Sequence, residues 1–403
     1  MELKLDAQRW RDRRGMPRLL DALGADDGLT RYVGGAVRDD LLGLPVNDID
    51  LATRLKPEEV VERLQKARIR AVPTGIDHGT VTAVSDGQPV EVTSLRRDVS
   101  TDGRRATVAF TDDWREDAAR RDFTINALFA DPVTGAVHDY FGGLDDLRQR
   151  RVRFIGDPLQ RIAEDRLRIL RFFRFHARFG EGPPDAAALE SCAARANDLM
   201  ALSRERIADE LLKLLGLPDP APTVAIMLER GIFAPVVPEV ETTGLARLEL
   251  LIASERAAGI APASLRRMSA LLPPDAVIAE KVATRLKLSN KARKRLACAA
   301  AREVHRHTKA LAYRVGKECA VDRLLILGRG DEARGVEDWP VPSFPIRGGQ
   351  LIAGGLVAGP IVARTLHNIE ERWIEAGFPS GAELAAIVAA KVSEAEGGAN
   401  SKS

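Results

Sequence analysis

Cysteine and histidine are sparse in this 403-residue chain. The three cysteines, Cys192, Cys298 and Cys319, are odd in number and widely spaced, and none sits in a Cys-x-x-Cys pair. That argues against a disulfide framework or a zinc site and reads as three buried thiols. The N-terminal stretch has no apolar run. Arg9, Arg11, Asp12, Arg13 and Arg14 cross it, which fits neither a signal peptide nor a membrane span, so a cytoplasmic protein without a membrane role is expected. Charge of one sign is not in excess either: 60 Lys and Arg face 58 Asp and Glu, for a net +2, and 45% of residues are hydrophobic. Such a balance excludes a disordered polyelectrolyte and describes a soluble globular chain with room for two to four domains. Internal repeats and long low-complexity segments are absent.

What is present divides at about Gly156. Before it, short β-rich runs alternate with helical ones. "LTRYV" and "NDIDLAT" read as strands around a short helix from Ala36 to Leu42, and "KPEEVVERLQKA" as a helix with Pro57 in its first turn. "HGTVTAV" and "PVEVTSL" read as a hairpin, because Asp86-Gly87 supplies the positive φ a tight turn requires. After Gly156 apolar residues recur at helical intervals, as in the run from a Ser203 cap to a Gly216 stop, and strand signals fade. The last ten residues read as a frayed tail. One charge block breaks the global balance: from Lys281 to Lys317, Glu303 is the only acid among many Lys and Arg, a composition suited to a polyanion.

The chemistry concentrates in "GGAVRDDLLGLPVNDID", residues 34–50. On a strand, Asp48 and Asp50 project to the same side while Ile49 turns to the core. Two carboxylates that close repel unless a cation lies between them, and a hard divalent ion such as Mg²⁺ suits them while keeping positions open for phosphate oxygens. Asp-x-Asp alone is weak evidence. Here it follows Gly34-Gly35, where the missing Cβ atoms let backbone approach a triphosphate at a helix start, and Arg38, whose guanidinium can join the same phosphates. Metal carboxylates beside a phosphate cradle suit nucleotidyl transfer.

Together with "RRDFTINALFAD" (residues 120–131), this stretch resembles the class II tRNA nucleotidyltransferase and bacterial poly(A) polymerase family. The resemblance covers about residues 29–216 and is looser beyond. It implies an α+β chain: a nucleotidyltransferase-fold head with a mixed sheet at 1–154, then an elongated all-α remainder with a neck at 155–216, a body at 217–317 and a tail at 318–403. It also implies that Gly34, Gly35 and Arg38 bind the triphosphate, that Asp48 and Asp50 hold the metal, and that Arg121 contacts the nucleotide. Glu91 is a candidate third carboxylate, if its hairpin strand lies beside the acid pair, acting as ligand or as acceptor of the attacking hydroxyl's proton.

A second constellation lies in "EDRLRILRFFRF", residues 164–175. Asp165 and Arg168 are three apart and, on one helix, would be neighbours, with Arg171 and Arg174 continuing the row. A carboxylate beside a guanidinium matches the donor-plus-acceptor edges of cytosine and adenine and mismatches uracil and guanine. An unpaired buried group costs about 1–3 kcal/mol, enough for selectivity. An intrahelical ion pair is the plainer reading, and the family's Glu-Asp-x-x-Arg helix, matched by Glu164, Asp165 and Arg168, tips the choice toward base reading.

Both CCA addition and poly(A) synthesis occur in this family. "TGIDHGTVTAV", residues 74–84, resembles the tRNA enzymes, and the polar loop from Arg96 to Arg115 resembles the segment that complete CCA-adding members use to switch from C to A. The resemblance therefore implies template-independent addition of CCA to tRNA from CTP and ATP with Mg²⁺, no stable protein partner, and none of the phosphohydrolase domain that some relatives carry. A poly(A) polymerase, a partial CC- or A-adding enzyme, and a catalytically silent RNA-binding protein remain alternatives.

Overall fold

The computed structural model describes residues 5, 7–46, 48–101, 106–304 and 307–400, and its chain divides into two compact units, residues 1–238 and 239–403. The first unit carries the β-structure. Among the described residues, strands β1 (Thr30–Val33), β2 (Asp50–Thr53), β3 (Arg70–Gly75), β4 (Thr80–Ser85), β5 (Gln88–Ser94), β8 (Leu128–Ala130) and β9 (Val137–Asp139) form one sheet in the order β3-β4-β5-β2-β1-β8-β9. It is mixed: β2 and β5 run parallel and the other neighbours antiparallel. The β4–β5 hairpin turns through Asp86 and Gly87, both at positive φ (49° and 81°), as the sequence signal requires.

Alternation explains which side of the sheet is covered. In β4 every second residue, Val81, Ala83 and Ser85, is buried, and in β5 Val90, Val92 and Ser94 follow the same period. A cluster of Val33, Ala52, Leu95, Trp114, Ala118, Ala127, Phe129 and Ile155 fills the centre beneath β1, β2 and β8. The helix Pro57–Lys66 begins as its sequence demands, with Glu59 accepting from the Lys56 N–H at 2.8 Å.

Aromatic packing joins the sheet to the following helices. Phe123 lies 5.0 Å from both Phe154 and Phe175, and Phe154 stacks on Phe172 at 5.8 Å. Phe172 and Phe175 belong to the helix Arg168–Phe179, whose apolar face is buried on these rings. The helix Arg204–Leu215 packs against it. Ser203 is its N-terminal residue, but its hydroxyl makes no capping bond, and Gly216 ends it with ordinary right-handed backbone (φ −75°). Position, and not cap chemistry, sets those ends.

Two expectations need correction in this unit. The segment Arg96–Arg115 is not a plain loop: β6 (Arg96–Thr101) and β7 (Ala106–Phe110) pair as an antiparallel ribbon, and Asp113 then caps the helix Trp114–Ala119. Polar composition concealed strands whose pairing is mostly with each other. In addition, "EDRLR" is not one helix. The helix Pro158–Glu164 stops at Asp165, which is extended (φ −147°), and the next helix starts at Arg168.

Among its described residues the second unit contains helices and no strand. Its core groups Leu251, Leu311, Leu324, Leu325 and Ile326 around a buried ionic cluster. There Glu255 accepts from Arg266 (2.7 Å) and Arg267 (2.9 Å), and Asp322 accepts from Arg266 and Arg295 (2.7 Å each). Cys298 and Cys319 are joined in a disulfide, with Cα atoms 6.1 Å apart, which corrects the reading of three free thiols; Cys192 is free and buried. The pairing arises because the helices Asn290–Ala301 and Lys317–Ile326 pack side by side, a proximity that a 21-residue separation does not disclose. The C-terminal segment corrects a fourth expectation: a helix runs from Gly381 to Asn400 where fraying was expected.

Candidate functional site

The glycine corner forms as its composition dictates. β1 ends at Val33, Gly34 turns the chain at φ +71°, and the helix Gly35–Leu41 begins with no side chain capping its first turn. A Cβ on Gly34 would sit in ordinary contact with the Arg121 guanidinium, 3.4 Å away, so it is the left-handed backbone and not space that calls for glycine. Arg38, one turn on, is nearly buried. It donates through Nε to Asp39 at 2.7 Å and through Nη1 to the Asn126 amide oxygen, and its guanidinium lies 4.1 Å over the Phe179 ring. Burial lowers its pKa and Asp39 opposes that shift.

The acids lie one strand away. Asp50 opens β2 and is in register with Val33 of β1 on one side and Glu91 of β5 on the other, while Ile49 is buried. The hairpin strand therefore does lie beside the acid pair. Burial, then the neighbouring Glu91 and Asp48, push the Asp50 carboxyl up to about 6, with Arg121 acting against them. Among the described residues no group of three or more His, Cys, Asp or Glu is arranged to hold a metal ion. The donor set that fits a cation is thus the Asp48–Asp50 pair, whose mutual repulsion a divalent ion would relieve and whose few ligands leave positions for phosphate oxygens. Glu91 stands next to this pair without completing a ready-made cage.

Arg121 is aimed by Asp117, which accepts from its Nη2 at 2.9 Å and from Arg120 at 2.8 Å. Burial alone would raise the Asp117 carboxyl; the two guanidinium groups outweigh it and hold the carboxyl below its ordinary value. The motif around Arg121 contributes two further residues that sequence reading passed over. Asp122 accepts from Arg171 at 2.7 and 2.5 Å and from the Asn126 side chain at 2.9 Å, and Asn126 in turn holds Arg38. A continuous hydrogen-bonded chain therefore links the helix Arg168–Phe179 to the glycine corner. The clue was in "RRDFTINAL", whose Asp and Asn lie four apart.

The break at Asp165 changes the expected pair. Asp165 accepts from the Leu167 N–H (3.0 Å) and from Arg206 (2.8 Å), whereas Arg168 donates to Glu164 (2.5 Å) and to the Arg161 and Arg120 carbonyls (2.9 and 3.0 Å). The two are not a helical ion pair; each is held by other partners. Arg171 and Arg174 do continue from Arg168 along one helix, with Arg174 fixed by Glu210 at 2.6 Å. Gly34, Gly35, Arg38, Asp48, Asp50, Arg121, Asp165, Arg168, Arg171 and Arg174 all line one cavity of about 790 Å³, joined by Asp122, Asn126, Phe175 and Lys213. Of the residues expected at the site, Glu91 alone lies off it, in a neighbouring cavity of about 730 Å³ that Asp48 and Asp50 also line.

Two other sequence features are less open than composition suggested. The basic block is largely answered by acids and carbonyls from elsewhere in its own unit: Arg285 pairs with Glu239, Arg295 with Glu318 and Asp322, and Arg314 with Glu371, while Arg302 donates to the Ser269 and Leu272 carbonyls. Arg306 lies outside the described residues. His138 precedes Asp139 in β9, but the Asp139 carboxylate accepts from the N–H groups of Phe141, Gly142, Gly143 and Leu144, so it builds a turn. No described helix is long and apolar enough to cross a membrane.

Comparison with known proteins gives a consistent picture. Residues 30–153 match the Poly A polymerase head domain, and residues 184–243 match the probable RNA- and SrmB-binding site of polymerase A. A human protein, CCA tRNA nucleotidyltransferase 1, mitochondrial, is 46% identical over 204 residues, 50% of this chain and 47% of that protein. The CCA-adding enzyme of Anoxybacillus flavithermus is 38% identical over 213 residues, 52% of each chain. The aligned part thus spans about half the length of these curated relatives. Among solved structures, the Bacillus stearothermophilus CCA-adding enzyme in complex with CTP superposes with a TM-score of 0.74 at 25% identity, covering 95% of this chain and 99% of that one. The Thermotoga maritima CCA-adding enzyme complexed with tRNA_CCA gives 0.70 at 20% identity, covering 97% and 100%, a likeness of fold.

Proposed function

We propose that this chain is a member of the family of tRNA nucleotidyltransferases and bacterial poly(A) polymerases and adds CCA to the 3′ end of tRNA from CTP and ATP without a template. One observation carries the reading: the Asp48–Asp50 pair, the Gly34–Gly35 corner with Arg38 and Arg121, and the Asp165–Arg174 segment open into a single cavity of about 790 Å³. Acids, phosphate donors and base-edge groups are then within reach of one bound nucleotide. The relatives named for CCA addition support the choice of substrate.

In the reaction, the 3′ oxygen of the RNA bonds to the α-phosphorus of the nucleotide, the bond from that phosphorus to the bridging oxygen breaks, and pyrophosphate leaves. Arg38 and Arg121 face the triphosphate with charge already oriented by Asn126 and Asp117, so little reorganisation is needed as charge develops. Asp48 and Asp50 would hold a divalent ion, Mg²⁺ in our reading, which supplies Lewis-acid stabilisation when bound. Glu91, in register with Asp50, stands where it can accept the hydroxyl proton.

Base choice falls to Asp165 and Arg168. Asp165 keeps unused lone pairs after Leu167 and Arg206, and Arg168 keeps its Nε–H and one Nη2 hydrogen after its described partners are counted. These offer an acceptor and donors, the complement of the cytosine and adenine edges. In the same reading residues 1–154 perform the chemistry, 155–216 select the base, and 217–317 with 318–403 grip the RNA.

Incorporation of labelled nucleotide into tRNA lacking its 3′ CCA tests the proposal, with CTP alone, ATP alone and both together. Completion only with both nucleotides is expected. ATP-only tailing makes it a poly(A) polymerase, stopping after two residues makes it a CC-adding enzyme, and no incorporation with intact RNA binding refutes catalysis.

A further inference from the structure

Asp48 and Asp50 line two cavities, and the nucleotide site proposed above takes up only one of them. The second, about 730 Å³, adds Glu91 and Gln88 from β5 and two arginines from the N-terminal segment, Arg13 and Arg14. We propose that this second cavity seats the 3′-terminal phosphodiester of the acceptor RNA, with Arg14 as its phosphate contact and Arg13 as a positioning residue. The inference rests on the nucleotidyl transfer proposed above and assigns the side from which the RNA enters.

Three observations carry it. Phosphoryl transfer places the attacking and leaving oxygens roughly in line. With the glycine corner, Arg38 and Arg121 gathered in the first cavity around the triphosphate, the attacking hydroxyl must come from across the acid pair, where the second cavity lies. Glu91, the proton acceptor, faces that same cavity.

Arg13 and the backbone turn after Arg14 are also held in place. Arg13 donates to the Val46 carbonyl at 2.8 Å, two residues before Asp48, and so ties the N-terminal segment to the acid-bearing one. Gly15 follows at φ +79°, where a Cβ would meet the Ser85 carbonyl oxygen at 2.4 Å. That close approach clamps "RRG" to the β4–β5 hairpin, and only glycine permits it.

Finally, Arg14 is exposed and has no hydrogen-bond or ion-pair partner among the described residues, although three carboxylates share its cavity. A guanidinium that shares a cavity with acids without pairing to them is suited to a mobile polyanion, and an RNA phosphate accepts its fork of donors.

The test uses the full chain with tRNA lacking CCA, and compares Arg14→Glu, Arg14→Ala and Arg14→Lys. Arg14→Glu is expected to raise the KM for tRNA about tenfold or more while the KM for CTP moves less than about twofold. Lysine should restore most of the affinity, and the slope of log affinity against log salt should fall by about one for Arg14→Ala. Fluorescence anisotropy with a labelled tRNA ending in a 3′-deoxynucleotide reads the same contact without turnover. Equal losses for CTP and tRNA, an unchanged tRNA KM, or a weakened inhibition by pyrophosphate in place of the tRNA effect would overturn the assignment. If the wild-type chain binds that RNA through Arg14 yet incorporates no nucleotide, the transferase reading fails while this one stands.

Discussion

The two units place acidic residues in opposite situations. In the second, Glu255 and Asp322 are buried and each is bracketed by arginines: Arg266 and Arg267 on one, Arg266 and Arg295 on the other. In the first, Asp48, Asp50 and Glu91 have one another as neighbours, and the Asp50 carboxyl is pushed up to about 6. Charges that are answered inside the fold hold it together. Charges set against their own kind cost stability and are tolerated where something else binds.

The largest expected effect is at the crowded acids. If they hold the metal as proposed, Asp48→Ala or Asp50→Ala cuts nucleotide incorporation on the order of a thousandfold or more, the loss of several kcal/mol of transition-state stabilisation. Urea unfolding of either variant should stay at or above the wild-type midpoint. The answered acids should behave inversely. Asp322→Ala removes the buried carboxylate that Arg266 and Arg295 share, leaving them only Glu255 and Glu318, and is expected to cost about 3–5 kcal/mol in urea unfolding. A neutral outcome there would erase the contrast.

Base selection comes next. Asp165→Ala should reduce the preference for CTP and ATP over UTP and GTP by on the order of tenfold or more, in ratios of kcat/KM, as the loss of one of the two complementary contacts implies. Uniform loss for all four nucleotides would mean that Asp165 only positions Arg206.

The smallest effect concerns pH. In the folded chain the Asp50 carboxyl is pushed up to about 6, above the ordinary aspartate value of 3.8, so the native metal-free protein binds more protons between those values. Stability from this group is therefore greatest at low pH and declines as pH rises through that window. Asp50→Asn should gain at most about 1 kcal/mol at pH 7, because Asp50, although crowded by its neighbours, stays exposed at the cavity wall, where solvent screens the interaction. The same titration means that a divalent ion competes with a proton below pH 6, so activity should fall there, and added Mg²⁺ should shift that limb to lower pH.

Local chemistry was legible where one segment carries the whole requirement. The glycine corner and the Asp86-Gly87 turn each depend on φ or on spacing within a few residues, and both stand as read; the acid pair does so only in part, because the strand starts at Asp50 and Asp48 lies just outside it. Asp122 and Asn126 sat inside a recognised motif, yet their roles became visible only when Arg171 and Arg38 reached them from 49 and 88 positions away. Asp165 misled because spacing alone extends a helix through a residue whose backbone is in fact extended.

By itself, then, the sequence determined the identity of the chemistry: two acids two apart, a glycine pair able to turn at positive φ, and arginines in a helical row. Tertiary structure decided which charges are answered. The Cys298–Cys319 bond, the pairing of the basic block with distant acids, and the meeting of Glu91 with Asp50 across a parallel strand pair all join residues far apart in the chain. The reason is physical. Backbone preference and side-chain period act over a handful of residues, whereas Coulomb interaction and desolvation act through space and depend on neighbours that only packing supplies.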